Sequence, residues 1–233
     1  MILDPATTQV LQNTALFHGI KQEAYASVLQ CLGAQRHQYE RGEQIHHVGN
    51  KMSTAGLVLS GLVDVALYNE SGNQLSINRF DSGEIFGESF ACLQSEKCPV
   101  SVHAVSDCEV IFIRLALLFT PQKMNCTQAA KVTENLVQLL AKKNVFLNQK
   151  VQILAQKKIR DKIKVSLQTE MANTPPGQDE KHYVIRFNRD EMARYLGVDR
   201  SALSRELCNM RDEGILSFQR NHIKMLDPSF LFD

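Results

Sequence analysis

The spacing of hydrophobic positions changes twice along the chain and divides it into three stretches. In the first, short apolar runs stand between turn residues: Gly56-Leu-Val-Leu-Ser-Gly61, Leu62-Val-Asp-Val-Ala-Leu-Tyr68 and Val110-Ile-Phe-Ile-Arg114. Nine of the twelve glycines lie before residue 90, several of them between such runs. Short strands with turn signals about every 8–12 residues predict an all-β sandwich or barrel. Asn69-Glu-Ser-Gly72-Asn reads as a hairpin turn in which glycine supplies a positive φ.

The second stretch, from about residue 122 to residue 171, holds no glycine and no proline. It is too long for strands and predicts a long helix followed by another. Ala130, Val137, Asn144 and Val151 fall at one heptad position, a, and Thr133, Leu140, Leu147 and Leu154 at the other seam position, d. Such a seam suits a helix that pairs with its own copy, and a single Asn at a fixes a two-stranded register. A helix packed on the core of its own domain is the competing reading. Asn173-Thr-Pro-Pro-Gly-Gln178 then breaks the helices.

In the third stretch Tyr183–Phe187 is a strand candidate, and Asn188-Arg-Asp-Glu191 reads as a helix start with a capping-box pattern. Gly197 marks a tight turn. Asp199 is a second cap, opening a helix over residues 200–213. Helix, short turn, helix is the helix-turn-helix layout. Met192, Ala193, Leu196, Val198, Leu203, Leu207 and Met210 form a shared core, which leaves Arg200, Ser201, Ser204 and Arg205 on the opposite face. Residues in the first turns of a recognition helix reach base edges in the major groove, and one Arg can take guanine O6 and N7 together. Residues 215–226 read as a two-stranded wing turning at Arg220-Asn221-His222, with Arg220 and Lys224 placed to touch phosphate. An amphipathic helix pair with a solvated charged face is the plainer alternative.

Composition adds limits. An apolar fraction of 44% with 22% charged residues is that of a globular domain. A net charge of +1 gives no argument for nucleic acid, although residues 181–226 hold nine Lys/Arg against six Asp/Glu. No apolar run is long enough for a bilayer, and Met1-Ile2-Leu3-Asp4-Pro5 lacks the marks of a signal peptide. A cytoplasmic protein with no membrane partner is expected. The six cysteines form no CxxC pair, which argues against a metal site and for free thiols in a reducing compartment. Neither a phosphate loop nor HExxH nor a Ser-His-Asp order of known type occurs, so no catalytic residues are assigned and no enzyme is expected. A Cys–His pair is the one catalytic arrangement left open.

Three further motifs carry a family resemblance. They are Arg41-Gly-Glu-Gln-Ile-His-His-Val-Gly49, Gly61-Leu-Val-Asp-Val continuing to Gly83-Glu-Ile-Phe-Gly-Glu88, and Asp190 to Gly214 with Arg200, Ser204 and Arg205. In this order the chain resembles the cyclic-AMP receptor protein/FNR superfamily of bacterial transcription regulators. The resemblance implies an α+β fold: a cyclic-nucleotide-binding-like β-roll (double-stranded jelly-roll) that senses an effector over residues 1–121, a dimerisation helix over 122–156 and a winged helix-turn-helix over 157–233. It implies a homodimer on a two-fold symmetric double-stranded DNA site, a small-molecule effector that reorients the DNA-binding domains, and RNA polymerase as a partner. Ser201 stands where many members place a glutamate that reads the cytosine side of a base pair. A regulatory module of the same type without a DNA role is the alternative from a different class.

Members that bind cyclic nucleotides resemble this chain at Gly87-Glu88-Ser89, where the Glu takes a ribose hydroxyl. About ten residues on they place an Arg-Ser pair on the cyclic phosphate, and this chain has Cys98-Pro99 there. A thiol and a proline replace neither charge nor donor, so no useful affinity for cyclic AMP is expected. Asn144, Leu147 and Asn148 stand where the family's helix meets its ligand. The cofactor stays unassigned. Cys31 is the only cysteine before residue 90, which argues against the family's iron–sulfur cluster. Haem through Cys92, Cys98 or His103, and thiol redox chemistry at Cys92 and Cys98 in a loop, remain open. Cys108 reads as core. His46 and His47 point to opposite faces of a strand and do not make a shared metal site.

Overall fold

The computed structural model describes residues 3–68, 74–120, 127–173, 182–184, 189–219 and 222–232. It separates into two compact units, Met1–Ala141 and Lys142–Asp233.

The first unit carries two four-stranded antiparallel sheets. One runs β1 (Gln35–Tyr39), β8 (Cys108–Ile113), β3 (Ala55–Ser60), β6 (Ile85–Phe86); the other runs β2 (Gln44–His46), β7 (Ser101–Ala104), β4 (Val63–Tyr68), β5 (Gln74–Phe80). The strands predicted from residues 56–61, 62–68 and 110–114 are β3, β4 and β8 within a residue or two. β4 and β5 pair from Val63↔Phe80 to Tyr68↔Gln74, and the turn expected at 69–73 lies outside the described residues. Between the sheets lies one core of Met52, Val58, Val63, Phe86, Val102 and Val110.

A second core covers the other face of the first sheet, where Leu57, Ile111 and Ile113 meet Leu11, Leu16, Phe17, Val132 and Leu136. That is why β3 is buried at five consecutive positions instead of alternating. Three helices help build this unit: α1 (Pro5–Asn13), α2 (Tyr25–Cys31) and α3 (Glu88–Leu93). The first turns of α4 (Ala129–Ala155) close it. Asn135 on α4 is buried and donates from Nδ2 to the carbonyls of Leu16 and His18, at 2.9 and 2.8 Å.

The second unit contains the rest of α4, then α5 (Ile159–Asn173), α6 (Arg189–Leu196) and α7 (Arg200–Asp212). Its sheet has three strands in the order β10 (Leu216–Gln219), β11 (His222–Met225), β9 (His182–Val184). The two-stranded wing expected from sequence therefore gains a third strand, because His182–Val184 pairs with His222–Lys224. His222, expected in the turn, is the first residue of β11 and pairs with Gln219. Arg220 and Asn221, and the cap expected at Asn188, lie outside the described residues. Among the described residues no helix is long and apolar enough to cross a membrane.

Candidate functional site

The helix pair α6–α7 is organised by its turn. Gly197 has φ +61°, and a Cβ there would stand 2.7 Å from Leu154 Cδ2 on α4. Asp199 caps α7: its Oδ1 accepts from the backbone N–H of Ser201 (2.8 Å) and Ala202 (3.1 Å) and from the Ser201 hydroxyl (2.5 Å). These bonds, the Ser201 hydroxyl first, hold the Asp199 carboxyl below the usual carboxylate range. Met192, Ala193, Leu196, Leu203, Leu207 and Met210 are all buried in one core, with Val198 at its edge, as the spacing predicts.

On the other face of α7, Arg200, Ser201 and Arg205 are exposed and Ser204 is half-buried beside them. The four side chains singled out from sequence thus share the first turn and a half of one capped helix. Arg200 Nε lies 3.1 Å from Asp190 Oδ1 on α6, and both side chains are more than half exposed. Lys224 is exposed on β11.

Further residues tie the unit together, and none of them stands out in the sequence. Arg160 on α5 donates from Nε to Glu206 (2.6 Å) and from Nη1 and Nη2 to Glu213 (2.7 Å each). Lys162 Nζ donates to the Leu196 carbonyl at the end of α6, at 3.0 Å. Phe218 on β10 carries the guanidinium of Arg189 at 4.9 Å and that of Arg211 at 5.9 Å from its ring centre. Burial pushes the Arg189 guanidinium below its ordinary value. Such pairs join residues far apart in sequence, so no local signal marks them.

On α4 the face of the predicted heptad seam is largely uncovered in the single chain. Val137 is 59% exposed, Leu147 56%, Val151 64% and Leu154 45%. Asn144 and Asn148 are exposed and bonded to each other, Nδ2 of Asn148 to Oδ1 of Asn144 at 2.9 Å.

In the first unit, Gly87 starts α3 with φ +71°, where a Cβ would come 2.7 Å from Met52 Sδ. Cys98 is fully buried, its thiol 3.9 Å from the same sulfur. Glu88 is buried at the N-terminus of α3, whereas Ser89 and Pro99 are exposed. Met52 Sδ thus stands close to both Gly87 and Cys98. Cys92 lies on α3, not in a loop. Burial raises the thiols of Cys92 and Cys98, which works against the thiolate that redox chemistry needs. Cys108 is core. His103 Nε2 lies 3.0 Å from Ser101 Oγ. Among the described residues no three His, Cys, Asp or Glu side chains come together as metal ligands.

An open cleft of about 220 Å³ in this unit has Met52 in its wall and is lined by residues of the edge strands β1 and β2. His37, Tyr39, His46, Lys51, Ser53 and Phe112 are among its lining residues.

Comparison with known proteins agrees with both units. The cyclic nucleotide-binding domain family matches residues 36–120, and the Crp-like helix-turn-helix domain family matches residues 165–232. The CRP-like protein Clp of Xanthomonas euvesicatoria pv. vesicatoria (strain 85-10) is 26% identical over 185 residues, spanning 78% of this chain and 79% of that protein. The Thermus thermophilus catabolite activator protein superposes with a TM-score of 0.51 at 24% identity, covering 94% of this chain and 97% of that one. The c-di-GMP responsive global regulator CLP of Xanthomonas campestris gives 0.55 at 22% identity, covering 86% and 98%. These two likenesses concern the fold; the family rests on the two matched domains in their order, and on that ground the chain belongs to the cyclic-AMP receptor protein/FNR superfamily of DNA-binding transcription regulators.

Proposed function

We propose that the chain works as a homodimer that binds a two-fold symmetric DNA site and responds to a small effector other than cyclic AMP. The observation that carries the DNA half is the exposed group Arg200, Ser201, Ser204 and Arg205 on the first turns of α7, above a face buried through Leu203 and Leu207. In this reading Arg200 and Arg205 take guanine edges, Ser204 takes a neighbouring base, and Lys224 contacts phosphate, as Arg220 does by its place in the sequence. The Ser201 hydroxyl donates its hydrogen bond to Asp199, so its oxygen meets DNA as an acceptor. The dimer half rests on the uncovered α4 seam of Val137, Leu147 and Val151, which a second copy would bury with Asn144 at the axis. The domains follow as a sensor over 1–121, a dimer helix over 122–156 and a DNA reader over 157–233, acting on RNA polymerase in the cytoplasm.

The absence of cyclic AMP binding follows from Cys98 and Pro99, which offer the phosphate neither a cation nor an N–H. If the roll nonetheless takes its effector at the family's place, Gly87, Glu88 and Ser89 would hold it with Asn144, Leu147 and Asn148. The test is selection of binding sites from random DNA, followed by gel shift with the double variant Arg200→Ala/Arg205→Ala. Loss of site-specific binding with the dimer intact supports the reading. Specific binding that survives the double change overturns it.

A further inference from the structure

The helix α7 is held on both flanks of its buried face. At about 100° per residue, Leu203, Leu207 and Met210 point into the core, the stripe of Glu206 and Glu213 lies about 70–90° to one side of them, and Arg211 lies about 70° to the other. The exposed Ser201 and Arg205 point away from the core. On the first flank a single residue of α5, Arg160, takes both carboxylates: Nε donates to Glu206 at 2.6 Å, and Nη1 and Nη2 donate to Glu213 at 2.7 Å each. On the second flank the Arg211 guanidinium lies over Phe218 of β10, and Arg189 of α6 lies over the same ring.

Arg160 is suited to fix geometry more than to add stability. Its side chain and those of Glu206 and Glu213 are all partly open to solvent, and ion pairs so placed contribute little to folding. Three charge-assisted bonds from one planar fork, by contrast, allow few orientations of the two partners. Glu206 and Glu213 stand two helical turns apart on one stripe, so the fork, with the Arg211–Phe218 stack on the other flank, resists turning of α7 about its own axis. Two residues further along α5, Lys162 Nζ donates to the Leu196 carbonyl at the end of α6, so both helices take their places from α5. A turn of α7 by ~10° would move a group ~6 Å from its axis by ~1 Å, more than a hydrogen bond to a base edge tolerates.

We propose that Arg160 is a positioning residue for base reading: by holding Glu206 and Glu213 it sets the rotation of α7 that aims Ser201, Ser204 and Arg205 at base edges. This deepens the reading of α7 as the recognition helix and rests on it. Sequence-independent binding depends on phosphate contacts, which long cationic side chains make over a range of positions, whereas base contacts are directional. Loss of Arg160 therefore lowers discrimination between DNA sites. An ion pair with a structural role alone has no such consequence, because partial unfolding weakens binding to every DNA by the same factor.

The experiment measures, for the full chain at one salt concentration, the affinity for the site selected from random DNA and for an unrelated duplex of the same length. Arg160→Met should weaken binding to the selected site by about tenfold, the scale of one lost base contact, and binding to the unrelated duplex by about twofold at most. Arg160→Lys should recover only part of the tenfold, since it keeps the charge and loses the fork. Glu206→Ala/Glu213→Ala should lose the same discrimination although it makes the chain more positive, which by charge alone would tighten binding to both duplexes. That double change approaches the contact from its other side and keeps the test valid if Arg160→Met does not fold. Equal loss on both duplexes, or discrimination unchanged in the double variant, overturns the proposal while α7 remains the reader. Failure of the unaltered chain to select any site overturns both.

Discussion

Leu154 on α4 lies directly over Gly197, the turn between the two helices of the DNA-binding motif: its Cδ2 occupies the space a Cβ on Gly197 would need, at 2.7 Å. The C-terminal part of α4 and the turn between α6 and α7 are therefore in contact. Tyr195, two residues earlier, packs on Phe146 of the same helix with ring centres 5.8 Å apart. A movement of α4 would be felt by α6 and α7 through these two contacts.

Gly197→Ala should destabilise the second unit. The left-handed backbone at φ +61° costs a residue with a Cβ about 1–2 kcal/mol, and the Leu154 contact adds to it. Chemical denaturation measures this. A neutral effect would mean that α4 yields without cost. Leu154→Ala in the same background should recover part of the loss.

Asp199→Ala removes the cap of α7 and should lower the melting temperature by a few degrees, with Asp199→Asn milder. The folded carboxyl titrates below its unfolded value. Its contribution is thus complete above about pH 4, the unfolded value, and fades as pH falls through the lower folded value. Melting curves of both proteins should converge under acid conditions.

Arg36 on β1 joins Glu109, at 2.5 and 2.6 Å, and Asp4, at 3.0 Å, tying the N-terminal cap to the roll. The side-chain bond from Arg36 is the leading cause that lowers Glu109, while Asp4 is lowered first by the Thr7 backbone and then by its hydroxyl. Arg36→Met should lower stability at neutral pH, and the difference should shrink as pH falls below about 4 through the depressed folded values. A difference that persists in acid would assign the effect to the arginine's packing.

Asp190→Asn should leave stability almost unchanged, since exposed ion pairs contribute about 0–1 kcal/mol. It removes a negative charge beside Arg200 and should tighten DNA binding, most at low salt. Weaker and less selective binding would show instead that Asp190 positions Arg200.

Leu147→Glu, on the uncovered seam of α4, should leave the folded monomer intact and shift sedimentation toward it, with loss of DNA affinity following. An unchanged dimer would place the interface elsewhere.

Much of this protein is written locally. The cap of α7 and the turn before it were legible because Asp199, Gly197 and the 3.6-residue apolar spacing from Met192 to Met210 act within a few residues of one another. The heptad positions of α4 were legible for the same reason. The short β-prone runs marked the strands, because turn glycines and β-branched residues carry local conformational preferences.

Tertiary structure decided what depends on residues brought together from far apart. β9 joins the wing only because backbone groups of His182–Val184 meet β11, some forty residues later. Met52 Sδ stands close to both Gly87 and Cys98, which no reading of the Gly87-Glu88-Ser89 motif foresees. The cleft at the β1–β2 edge gathers Tyr39, Lys51, Phe86 and Phe112 from well-separated parts of the chain. A sequence fixes backbone preference and the side each residue turns inward; which side chains then meet, and what space they leave, is set by packing that couples the whole unit.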